Sequence, residues 1–463
     1  MTSEIYSIKF RFFAHNTLDL SDPERIIELT PQDLQLINPN TRTCPIFRTR
    51  KDAEITRKVY RSIPVLLREG DPGGNPWGVS FLRLFDMAND SPLFHTRDRL
   101  EGMGYRLVGN IFYPPEYPTP PHPYLPCGRL DRKEHEAYGD PGPLFSSNPQ
   151  AKSSGNRKNR RPDQSLKPSS KESSKGGGRF LPLYEAKMVH QYAHRWATYR
   201  GKKADDPALE DLQNPDFEPL PMYWVAEEEV EKCLSGRWDR GWLLGWRDIC
   251  RSTDKRTVIA SVIPRVGVGH KFLLLLTKKR EHAFCLNANL NSMAFDFISR
   301  QKVGGTHLKY HVFKQLPVLP PAQYVSPCPW TPGKITLEAW IRPRVLELVY
   351  TSHALLPFAL DTVHPPGPNQ LKQVREYWEI HFPGRFPPEA PYPAPFPYDP
   401  ERRFTLQCEL DAAYFHLYGI DRQEAEYILE TFPIVKNHDL NNYGRYRTKE
   451  TILEYYDQYG RSH

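Results

Sequence analysis

No CxxC pair occurs anywhere in the 463 residues, and the seven cysteines (Cys44, Cys127, Cys233, Cys250, Cys285, Cys328, Cys408) are odd in number and widely scattered. That spacing excludes a zinc ribbon and argues against a disulfide framework, so reduced thiols and a cytoplasmic location are expected. Long apolar runs are also lacking. The clearest, around Phe272 to Leu276, is far shorter than the ~20 residues a membrane helix needs. The opening Met1-Thr2-Ser3-Glu4 has no basic stretch before an apolar one, which speaks against a secretory signal. No internal repeat of fixed period is present. Proline is the one residue in clear excess, 46 of 463, about twice the average share of ~5%.

The formal net charge of +7 hides strong segregation. Residues 42–68 and 146–178 each carry eight Lys or Arg against two acids, and residues 237–315 carry fifteen against five. The remainder of the chain is therefore strongly acidic, including the last segment, 401–463, at −3. Any single run of charge is better read as a solvated face, but basic charge gathered into three stretches suits a polyanion as well.

The pattern of residues divides the chain into four parts and predicts an α+β protein. Residues 1–145 form an N-terminal α+β unit. Thr49-Arg50-Lys51-Asp52 reads as a capping box opening a helix that runs to about Ser62, with Pro64 closing it. Ile55 and Val59 share its apolar face with Leu66, while Arg50, Arg57, Lys58 and Arg61 make a basic stripe able to track phosphates. After residue 112 the chain turns proline-dense. Residues 146–178 hold almost no apolar side chains, so a disordered basic linker is expected, helping at most with retention on DNA. Residues 179–321 form the second unit. Its β-rich runs are Trp242 to Trp246, Val258 to Ile263 and Lys271 to Leu276, followed by a helix from Ala283 to Gln301 with one core face. Residues 322–463 are mostly helical, at 335–353, 369–381, 404–418, 422–432 and 447–459, with a proline-rich interruption at 383–400.

Catalytic signatures are weak. His190 and His194 form an HxxxH on an expected helix but lack the glutamate of a metalloprotease and a third ligand. Gly267-Val268-Gly269 lacks the third glycine and the helix of a dinucleotide loop, and reads better as a tight backbone bend beside a strand. Pro162-Asp163 with Glu185-Ala186-Lys187 imitates the carboxylate spacing of a magnesium-dependent nuclease, yet Asp163 lies in the linker. Ser252 to Lys255 matches SxxK by letter alone. Binding signatures are stronger. Arg247 to Lys314 interleaves cations with Trp246, Phe272, Tyr310 and Phe313, and Arg300 to His307 places polar side chains on a glycine-flexed turn. The candidate DNA contacts are Arg247, Arg265, Lys271, Arg300, Lys302, His307 and Lys309 in the second unit, with Arg50, Arg57 and Arg61 as phosphate contacts in the first.

Several runs, taken in order, carry a resemblance. They are Pro182 to Met188, Trp246-Arg247-Asp248-Ile249, Arg256 to Pro264, Leu290-Asn291-Ser292, Arg300 to Thr306 and Gln315 to Pro321. Asn38 to Pro45, Phe81 to Met87, Ile420 to Lys436 and Tyr446 to Lys449 extend it over nearly the whole chain outside the linker. Together they resemble the C-terminal, TaqI-type target-recognition half of type IIG restriction-modification methylases, which are adenine-specific DNA methyltransferases serving phage defence. The Asn-Pro-Pro-Tyr motif that grips a flipped adenine in that family is missing, as is a glycine-rich S-adenosylmethionine loop. The resemblance therefore implies a split or truncated polypeptide that reads double-stranded DNA. A separate methyltransferase chain would bind S-adenosylmethionine, with no cofactor, catalytic residue or metal in this chain. A stand-alone nuclease and a non-catalytic interaction scaffold are the alternatives.

Overall fold

The apolar runs of the second unit form the centre of an antiparallel sheet, because side chains on both of their faces are covered. In the computed structural model, which describes residues 7–14, 16–118, 124, 178–331, 333 and 335–461, this sheet has four strands. Their order is Ala260–Pro264, Trp242–Arg247, Phe272–Leu276 and Ser80–Leu82. Trp242 to Trp246 is buried throughout, as a strand covered on both faces requires. Gly245 is needed there for close approach: a Cβ would lie 2.5 Å from the Leu273 carbonyl oxygen and 2.6 Å from the Phe272 ring. The Trp246 ring stacks on Phe313 at 3.8 Å between centroids and meets Phe81 edge-on.

A second sheet has the order Gly267–Val268, Phe180–Tyr184, Ile111–Tyr113 and Arg106–Val108, with Trp224–Ala226 also pairing with Phe180–Tyr184. Gly267–Val268 runs parallel to Leu183 and Tyr184. A Cβ on Gly267 would lie 2.5 Å from Val225 Cγ1, so this glycine serves strand packing and neither a bend nor a phosphate cradle. Strands from residues before and after the 146–178 stretch thus share hydrogen bonds in both sheets. A two-stranded ribbon, Ile8–Phe10 with Ile27–Leu29, begins the described chain.

The capping box is present as expected. Thr49 Oγ1 accepts from the Asp52 backbone N–H at 3.1 Å, Asp52 accepts from the Thr49 N–H at 3.0 Å, and the helix spans Arg50–Ser62. The single amphipathic helix expected from Ala283 to Gln301 is instead two helices, Ala283–Asn291 and Met293–Arg300. Ser292 separates them in an extended conformation and caps the second through Phe295 N–H at 3.3 Å. Both are buried on all sides, and their polar residues are bonded into the core. Asn291 exchanges bonds of 3.1 and 3.0 Å with the backbone of Ala260, and Asp296 accepts the N–H groups of Thr257 and Val258 at 2.8 and 2.6 Å. Asp411, on the helix Pro400–Leu417, accepts the Met293 N–H at 2.6 Å, tying the C-terminal helices to this pair.

The C-terminal region contains the expected helices Leu337–Val349, Gln370–His381, Pro400–Leu417, Arg422–Glu430 and Arg447–Gly460, plus Leu356–Val363 and Pro433–Tyr443. One large apolar core includes residues from Ile27 to Leu453 and takes in strands of both sheets and the C-terminal helices, while a smaller cluster of Leu100, Phe112, Phe180 and Trp224 lies in the second sheet. The fold class is α+β. The 146–178 stretch lies outside the described residues except Gly178. Among the described residues no helix is long and apolar enough to cross a membrane, and the six cysteines are all free.

Candidate nucleic-acid interface

Strand pairing brings Arg247 opposite Phe272, and one step further the Asp248 N–H donates to the Lys271 carbonyl at 2.8 Å. The chain from the glycine turn returns beside it: the Leu308 N–H donates to the Asp248 carbonyl at 2.7 Å, and Ile249 pairs with His307. Three side chains meet at this sheet end. Asp248 Oδ2 lies 2.9 Å from His307 Nδ1 and 3.2 Å from Lys271 Nζ. The carboxylate is 6% exposed, whereas the histidine and lysine side chains are each 38% exposed. A buried anion therefore anchors two partly exposed cation-forming groups.

The surroundings are basic and half apolar. Arg247 donates to the Val189 carbonyl at 2.7 Å and reaches the Lys187 carbonyl at 3.4 Å, propping the 187–189 turn. Burial pushes its guanidinium down to about 10, which leaves it charged at neutral pH. Lys187 lies over the Tyr199 ring. Lys309 is exposed, and Ile249 is 55% exposed, an apolar side chain set among cations. Across the sheet end, Arg83 pairs with Asp86, and His270 Nδ1 accepts the Met87 N–H at 3.1 Å. Burial lowers the proton affinity of His270, with Lys271 and Arg83 adding to the effect and Asp86 and Asp248 opposing it.

Of the ten candidate contacts, Lys271 and His307 meet at this one place, with Arg247 and exposed Lys309 close to them along the chain. Arg265 is elsewhere, in a bidentate pair with Glu231 at 2.8 and 2.7 Å and bonded to the Trp238 and Arg240 carbonyls. Arg300 is buried, 3.2 Å from Asp296, with bonds to the Asp254, Lys255 and Thr431 carbonyls and its guanidinium over Phe432 at 3.9 Å. Lys302 donates to the Ile37 and Gln315 carbonyls at 2.6 and 2.5 Å above the Tyr60 ring, and desolvation drives its ammonium well below the usual lysine range. These three are internal ties.

The basic stripe of the first helix is largely neutralised. Arg50 pairs with Glu54 and borders a cavity of about 350 Å³ that Glu24, Glu54 and Glu424 also line. Arg57 sits 3.5 Å from Asp33, and Lys58 sits 2.6 Å from Glu424. Arg61 is exposed.

The weaker catalytic signatures resolve differently from their spacing. His190 and His194 flank a two-residue reversal, not a helix: the His190 and Ala193 backbones exchange bonds of 2.7 and 3.0 Å, and Tyr192 takes φ +57°. His190 packs on Trp196, while buried His194 lies 3.1 Å from Ser352 Oγ and 3.4 Å from Glu218. Both latter groups approach the same nitrogen, Nε2, so no Ser-His-acid relay exists there. Glu185 accepts the Tyr199 hydroxyl at 2.5 Å, and Asp163 lies outside the described residues. Among the described residues no three His, Cys, Asp or Glu side chains group as metal ligands.

Asp248, Ile249, Arg83 and His270 were not among the candidates read from the sequence. The available signal was the acid that directly follows a buried strand, a position where a carboxylate needs a partner from the neighbouring strand. Comparison with known families, curated proteins and solved structures finds no matching family model, no related protein and no similar structure.

Proposed function

We propose that this chain reads duplex DNA as the specificity part of an adenine methyltransferase or restriction-modification system. Methyl transfer, with S-adenosylmethionine, belongs on this reading to a separate chain. The observation that carries the DNA part is the sheet end at which Lys271 and His307 project from one buried carboxylate, beside exposed Lys309 and exposed Ile249. Exposed Lys309 and, when protonated, His307 suit phosphate oxygens, and an apolar side chain beside them suits a thymine methyl group. The methyltransferase part rests on the order of the sequence motifs alone. The nuclease alternative has less support, because the Glu185 carboxylate is already bonded to Tyr199.

Titration of a labelled duplex at several salt concentrations is the test. The full chain is used with the eight Lys and Arg of 146–178 changed to Gln, so that the stretch contributes no charge. Each phosphate neutralised adds about −0.9 to the log–log salt slope, and Lys309→Gln makes the slope shallower by about 0.9. Binding that ignores salt, or no binding at low salt, rejects the reading.

A further inference from the structure

Resting on the DNA-contact reading above, we propose that His307 is a proton-linked phosphate clamp: the duplex is held at this point only when the imidazole is charged. The geometry defines which end of the ring is available. A carboxylate can only accept, so Asp248 Oδ2, 2.9 Å from Nδ1, assigns the proton of the neutral ring to Nδ1. Among the described residues Nε2 has no hydrogen-bond partner, and in the neutral ring it carries a lone pair. Facing a phosphate oxygen, that lone pair sets acceptor against acceptor. Protonation turns Nε2 into a charged donor and leaves the Nδ1 bond to Asp248 intact.

The local charge changes in the same direction. Asp248 and Lys271 form an ion pair and cancel, so the cluster is neutral with the neutral imidazole and carries one positive charge with the imidazolium. Other charged groups around the ring leave that contrast in place. Arg247, on the strand bearing Asp248, is directed to the Val189 carbonyl. From the 300–310 segment comes exposed Lys309, and the Tyr310 hydroxyl donates to the Leu82 carbonyl. His270, Asp86 and Arg83 lie across the sheet end, with Asp86 and Arg83 paired to one another. The ring is also fixed in place, because the backbone bonds from Leu308 to Asp248 and the Ile249–His307 pairing anchor its Cα.

Binding that requires the imidazolium takes up a proton. Affinity is therefore greatest at low pH and falls as pH rises, by at most tenfold per pH unit. The experiment measures duplex affinity by fluorescence anisotropy from about pH 5.5 to about pH 8 at fixed ionic strength. It uses the full chain with the 146–178 cations replaced, together with calorimetry in buffers of different ionisation enthalpy. Affinity should fall about tenfold or more over that range, with up to about one proton taken up per complex. His307→Gln should bind weakly at every pH with no such trend, and His307→Lys should bind well at every pH. Matching thermal unfolding midpoints exclude misfolding as the cause. Duplex binding without pH dependence, or a dependence that survives His307→Gln, overturns the clamp and leaves the DNA reading standing. Absence of duplex binding at every pH in low salt overturns the DNA reading itself.

Discussion

An arginine and a lysine of equal charge can have opposite roles, and in this chain the difference is set by where the donors end. Arg300 and Lys309 are nine residues apart in one basic stretch. Yet Arg300 is enclosed by Asp296, three carbonyls and the Phe432 ring, whereas Lys309 is exposed. Removing Arg300 leaves Asp296 buried with one partner fewer, so Arg300→Ala should lower the unfolding free energy by about 3–5 kcal/mol, read as a shift of the urea midpoint. Lys309→Gln should leave that midpoint within about 0.5 kcal/mol of its original position. His190 offers a second residue-scale test. Burial against neighbours that include Trp196 and several cations depresses its imidazole to about 3. The unfolded chain binds the proton at the ordinary value near 6.5, so this stability is complete above about 6.5 and is lost as pH falls toward about 3. His190→Phe, which keeps a ring beside Trp196, should flatten the acid limb of a stability–pH curve. An unchanged acid limb would show that His190 is not buried in the neutral form.

At the scale of elements, local signals are legible in the sequence and tertiary ones are not. The capping box at Thr49 and Asp52 was visible because it is built within four residues. Its Tyr427 partner, whose hydroxyl lies 2.7 Å from Thr49 Oγ1 and donates to Asp52 at 3.0 Å, is far away in sequence and left no local trace. Thr49→Ala removes both the cap and that tertiary bond, and should cost about 1–2 kcal/mol in a denaturant titration. The central strands were recognisable from their apolar and β-branched runs. The break at Ser292 was not, since a helical apolar period continues across it, and only the Asn291 bonds to Ala260 and the Asp411 bond to Met293 show what holds the two helices apart. The same limit applies to the candidate site. Charge density marked the 237–315 stretch, but long amphipathic side chains bury their stems and turn their heads inward or outward according to neighbours that periodicity does not reveal. Asp248, the anchor of the cluster, became evident only when the strand register placed it beside Lys271.

The whole molecule is organised across the 146–178 stretch and not on either side of it. Ser80–Leu82 supplies the edge strand to Phe272–Leu276, and Phe112 pairs with Phe180, so each sheet contains strands from both flanks. Trp77 donates to the Leu319 carbonyl at 3.0 Å, and the Tyr60 hydroxyl to the Gln315 carbonyl at 2.7 Å, adding buried ties between the same flanks. Neither flank can retain its sheet alone, because separation would expose strand edges and the apolar faces they cover. A protease site placed within 146–178 and cut after folding should therefore give two fragments that elute together on gel filtration. They should separate only in denaturant, and together they should retain the salt-dependent duplex affinity of the intact chain. Fragments that part in native buffer would mean that the large core that includes residues from Ile27 to Leu453 does not hold in solution. The sheet end carrying Asp248, Lys271 and His307 would then lose the neighbouring edge strand that places Arg83 beside it.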